Sequence, residues 1–184
     1  MDEIVEQGFD RLCAQVKETK DAQKEVLDAI IADNVKFLEK MIRSVTPVIA
    51  EIGSEYMLKG KQDQKGEIYD QKFYPDKMII LGKPQNPVST RPDNPTKQVA
   101  QQFCVMTEKG ELYELMYSND GFIIDSYLSP LTTEDALAFY GYDIMYMLYS
   151  AMREYQLGQE DVLDALNLVL GAIQRKEEKA AEEK

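Results

Sequence analysis

One run of the chain concentrates hydroxyls around a single carboxylate. In Leu137–Met152, Tyr142, Tyr146 and Tyr149 fall on one helical face beside Asp143. A carboxyl group taken out of water keeps its proton to higher pH, so a buried Asp143 could serve as an acid or base. Tyrosine hydroxyls and adaptable methionine side chains also suit a ligand pocket. The same run reads first as a core helix, apolar around its circumference, with Tyr140, Ile144, Met147 and Ala151 on another face. Asp143 is then a structural acceptor for Tyr140, Tyr146 or a backbone N–H.

A second candidate is the proline-rich connector Lys83–Lys97, where Lys-Pro-Gln-Asn-Pro recurs eight positions on as Arg-Pro-Asp-Asn-Pro. Each Asn-Pro step holds the backbone extended or turned, which stiffens a segment without regular structure. Lys83, Arg91 and Lys97 make it locally basic in a chain of net charge −12. A projecting arm of this kind would engage an acidic surface on a partner.

The remaining chemistry is narrow. The 184 residues include no His, no Trp and two Cys. That excludes Ser-His or Cys-His nucleophiles, His-ligated zinc and haem on a proximal histidine. Cys13 and Cys104 fit no metal or redox spacing, and no phosphate-binding glycine loop or calcium loop occurs. No metal, no cofactor and no enzymatic activity are therefore expected.

With 33 Asp and Glu against 21 Lys and Arg, the surface should repel nucleic acid. The inverse role, an acidic imitation of a phosphate backbone that inhibits a nucleic-acid-binding enzyme, stays open. Met1–Glu6 has neither the basic nor the apolar segment of a signal peptide, and Leu137–Met152 falls short of the roughly 20 residues of a membrane span. A cytoplasmic protein is expected.

These residues need a scaffold, and the pattern predicts α+β. Residues 1–56 read as a long amphipathic helical segment. Val5, Phe9, Leu12 and Val16 lead into Val26, Ile30 and Phe37, with a parallel row from Leu27 to Ile52. The change of row along the chain suits a 3.6-residue period, and Thr46-Pro47 should interrupt the helix. An α+β domain follows over 65–174. Its antiparallel sheet of four to five strands is expected at 67–74, 77–82, 97–107, 111–117 and 122–128, with hairpin turns at Glu108-Lys109-Gly110 and Asn119-Asp120-Gly121. Helices over 133–156, opened by a Thr132 cap, and 160–176, separated by Gly158, should pack on one sheet face. Residues 175–184 read as a solvated charged tail.

A helix that long overhangs a body of this size, leaving Val5, Phe9, Leu12 and Val16 to be covered by something else. The first expectation is thus a non-enzymatic interaction protein, an adaptor, chaperone-like or regulatory subunit. It would form a homo-oligomer, a dimer by preference, and bind another protein through Val5, Phe9, Leu12, Val16, Lys83, Arg91 and Lys97. The second is a ligand-binding or sensor domain using Tyr142, Asp143, Tyr146 and Tyr149.

Overall fold

The computed structural model describes residues 3–182, with side-chain surroundings as far as Arg175. The class is α+β. Helix α1 (Glu3–Ile52) precedes strands β1 (Met57–Gln62), β2 (Ile68–Phe73), β3 (Met78–Gly82), β4 (Gln101–Thr107), β5 (Leu112–Asn119) and β6 (Ile123–Pro130), then helices α2 (Thr133–Tyr140) and α3 (Asp143–Glu182). The chain divides into two compact units, Met1–Lys40 and Met41–Lys184, so the division falls inside α1.

In the first unit the amphipathic pattern yields unbroken helix, including the polar stretch 18–24. Exposure changes along the helix rather than between its two apolar rows, and Leu27 and Ile31 of the parallel row are 55% and 44% exposed. Val5, Phe9, Leu12, Val16, Val26, Ile30 and Phe37 are 49–66% exposed, whereas Val35 and Leu38 are buried. The row of buried positions continues into the second unit as Ile42, Val45 and Ile49. Pro47 does not interrupt the helix as expected. The ring removes one N–H, yet buried Val45 and Ile49 clamp the turn on either side, and packing outweighs the local loss.

The sheet has six strands in the order β2-β1-β6-β5-β4-β3, every pair antiparallel. The extra strand is β1. Its sequence, Met-Leu-Lys-Gly-Lys-Gln, lacks apolar alternation and was expected to lie between helix and sheet. It pairs with β6 through Lys59↔Asp125 and Gly60↔Ile124. A side chain at Gly60 would sit 2.9 Å from both Ile68 and Met57, so the glycine lets β1 and β2 close up. The sheet curls until Ser54, just ahead of β1, bridges Met78 of β3 (N···O 2.9 and 3.0 Å).

The curl gives the sheet two different faces. On the inner face Met78, Phe103, Val105 and Leu115 form a buried cluster, lined by Tyr56, Tyr74, Tyr113, Tyr117 and Leu128. The register places Phe103, Leu115 and Leu128 in one row across β4, β5 and β6. On the other face Cys104, Met106 and Met116 are buried. Gln102–Thr107 is therefore buried on both faces, beyond the single covered face expected of it.

The C-terminal helices depart from expectation at two glycines. Thr132 caps α2 as expected, its hydroxyl accepting from the Asp135 N–H at 3.1 Å. Gly141, at φ 70°, then ends that helix; nothing crowds it, so its role is the break rather than close approach. Gly158 does not separate two helices, and α3 runs through both it and Gly171. Nor is Leu137–Met152 buried all round. Tyr140, Ile144 and Leu148 are buried, while Phe139, Tyr142, Tyr146 and Tyr149 are exposed. The expected packing of the last helix on the sheet is also absent: Val162, Leu163, Leu166, Leu168, Val169, Leu170 and Ile173 are 49–73% exposed. Helix geometry continues into the tail, whose side chains after Arg175 lie outside the described residues.

Candidate functional site

A groove of about 500 Å³ opens on the inner face of the sheet. Tyr56, Ile80, Phe103, Tyr117 and Ile124 form its walls, with Gln101 and Asn119 adding amide groups. Period-two alternation builds it: Gln101 and Phe103 on β4 face the same way as Tyr117 on β5. Burial pushes the Tyr117 hydroxyl up to about 12 and raises Tyr56 and Tyr74 as well. The Tyr56 and Tyr117 hydroxyls, which line the groove, stay protonated at neutral pH, while Tyr74 lies outside it with its hydroxyl bonded to Ser126 Oγ at 3.0 Å. The size and lining suit a small apolar molecule.

Beside β6 lies a charged network. Arg91 is 5% exposed, with its guanidinium gripping Asp93 through Nε (2.8 Å) and Nη2 (2.5 Å). Its Nη1 lies 3.1 Å from Asp125 Oδ1, an ion pair outside hydrogen-bond alignment. Lys97 binds the second Asp125 oxygen, and the ring of Tyr127 sits 5.6 Å under the Arg91 guanidinium. The hydrogen bond from Arg91 holds the Asp93 carboxyl below its ordinary range. The Val88 N–H donates to Gln102 Oε1 at 2.8 Å, tying the loop to β4.

Of the residues expected to reach a partner, Arg91 and Lys97 are thus spent within the chain, and the proline-rich segment folds down instead of projecting. Charge alone suggested exposure; the opposing Asp125 comes from a distant strand and was invisible as a partner. Lys83 remains exposed, its Nζ 5.3 Å from the Phe103 ring centroid.

Tyr146 and Tyr149 are exposed on α3, whereas Tyr142, expected on the same helical face, lies in the turn before Asp143; it and Asp143 are exposed as well. None of the four lines the groove. A second hollow of about 530 Å³ uses the neighbouring side of α3, with Met147, Ala151 and Tyr155 facing Ile52 and Ile79. The sequence signal for the groove was the alternation of β4 and β5, which located a covered face but not its curvature.

Among the described residues no group of three or more acidic or cysteine side chains could hold a metal ion. Among the described residues no helix is long and apolar enough to cross a membrane. No protein-family model, curated protein or solved structure matches the chain. What remains conspicuous is apolar surface on helices, in the α1 row from Val5 to Phe37 and on α3 beyond Leu157.

Proposed function

We propose that this chain is a non-enzymatic interaction protein, an adaptor or regulatory subunit that works as a homo-oligomer. The observation that carries the reading is the exposed row of α1. Val5, Leu12 and Val26 share one position of a seven-residue repeat, and Phe9, Val16, Ile30 and Phe37 share another. That is the spacing of a helix seam meant for a second helix. The polar members, Thr19, Gln23 and Asp33, interrupt it as register-setting residues do. At roughly 110 Å² for each of the seven side chains, the row supplies about 800 Å² per copy, the share each partner gives to a stable interface.

Light scattering after size exclusion tests the reading on the full chain. The wild type should run as an oligomer, and Phe9→Glu with Leu12→Glu should lower its mass while circular dichroism in the sheet region is unchanged. A wild-type monomer would overturn it.

The groove on the inner sheet face supports a second reading, a domain that binds a small apolar ligand. A dansyl-labelled fatty acid is a suitable probe. Binding lost on Phe103→Ala but retained by the Phe9→Glu/Leu12→Glu chain would favour this reading, and equal binding by all three would remove it.

A further inference from the structure

The groove on the inner sheet face has walls without charge. None of the residues that line it is acidic or basic, in a chain where 29% are. An ionised group drawn wholly inside would lose its water and find no counter-charge. The Tyr56 and Tyr117 hydroxyls do not replace one, since protonated phenols donate hydrogen bonds but carry no charge. The interior therefore accepts an apolar body.

Its edge is different. Lys83 directly follows β3, and its Nζ lies 5.3 Å from the centroid of the Phe103 ring, which is itself a groove wall. The ring's negative face holds the ammonium beside the groove. The other two cations of the proline-rich segment are already neutralised, Arg91 by Asp93 and Asp125, and Lys97 by Asp125. Lys83 is exposed and, among the described residues, has no acid within ion-pair distance.

We infer that the groove takes an amphiphilic anion, a single-chain carboxylate whose apolar body lies against Phe103, Tyr117 and Ile124 and whose head meets Lys83; the inference deepens the ligand-binding reading above and rests on it. Charge selects the class. A neutral ligand would gain nothing from Lys83, and a cation would be repelled by it. The chain's net charge of −12 opposes an anion from outside the groove: no carboxylate lines it, and exposed charges beyond about 8 Å are largely screened at physiological ionic strength. Size agrees, because about 500 Å³ lies within the range of pockets that enclose one small ligand. Lys83 stays in contact with solvent, so its pairing with the head should be worth about fivefold in affinity.

Displacement of the dansyl-labelled fatty acid from the full chain by decanoate and by decanol tests this at low salt. Lys83→Gln should weaken decanoate about fivefold and leave decanol unchanged, and Lys83→Arg should restore decanoate. Added salt should weaken decanoate towards the Lys83→Gln value in the wild type alone. Ala100→Trp, at an exposed position that lines the groove, should abolish binding of both without emptying the core. If Ala100→Trp blocks both ligands but Lys83→Gln changes neither, or weakens both equally, recognition of the head by Lys83 is overturned while the groove reading stands. Capture of the wild type, but not of Lys83→Gln, by phosphatidylglycerol vesicles would make the anion a lipid headgroup and overturn the free carboxylate. If neither ligand binds the wild type, or Ala100→Trp binds both as the wild type does, both the groove reading and this inference fall.

Discussion

Arg91 Nη1 lies 3.1 Å from Asp125 Oδ1, so a cation from the proline-rich loop closes over a carboxylate of β6 at a site with little access to water. Removing one member of such a pair leaves the other charge uncompensated. Asp125→Asn should therefore cost about 2 kcal/mol in urea denaturation, below the full value for a buried pair because Asp125 keeps some solvent contact. Lys61→Met, which breaks the exposed Lys61–Asp70 pair, should leave the midpoint unchanged.

The same network gives the protein an acid-sensitive element. Arg91 depresses the Asp93 carboxyl, so the folded state holds its negative charge more firmly than the unfolded chain does. That contribution is fully present above about pH 4 and disappears as pH falls through the lowered folded value. Urea midpoints measured from pH 5 to pH 2 should fall less steeply for Asp93→Asn than for the wild type. Parallel profiles would show that Asp93 carries none of the dependence.

At the alkaline end the sign reverses. Burial, with a smaller push from Glu114, raises the Cys104 thiol to about 12, and burial lifts Tyr117 to about 12. Unfolding frees these groups to ionise, so stability present below about pH 9 should erode between pH 9 and 12. A thiol-reactive dye at pH 8 should count one fast cysteine, Cys13, in the native protein and two in denaturant. Two fast thiols in the native state would contradict the burial of Cys104.

Pro47 sits exposed within α1, where it removes a backbone donor. Thr46 Oγ1 donates to the Ile42 carbonyl at 2.7 Å on the same turn. Pro47→Ala should restore the missing N–H and raise stability by about 1–3 kcal/mol, read as a higher thermal midpoint. A lower midpoint would mean that the turn requires the ring.

The sheet was legible where side chains alternate and turns are explicit. β4, β5 and β6 lie close to their expected positions because Phe103, Val105, Gly110 and Gly121 carry strong local signals. β1 was not legible, since Lys59-Gly60-Lys61 has no local preference for a strand and is recruited by β6. Local preference predicts breaks at Pro47 and Gly158, and tertiary packing overrides it at the first. At Gly158 the residue's own cost, about 1 kcal/mol, is small enough for the helix to absorb. Of the candidate sites, the α1 row was readable as surplus apolar surface. The groove was not, because it depends on a curl that brings Ser54, ahead of β1, to Met78 of β3, a pairing with no local signal at either residue.

The two glycines of α3 have an effect beyond geometry. A Cβ added at Gly158 or Gly171 would meet nothing within 4 Å, so neither glycine serves a close approach and each costs the continuous helix conformational entropy. Those two positions are therefore where α3 gives way first, and its amide protons should exchange fastest around them.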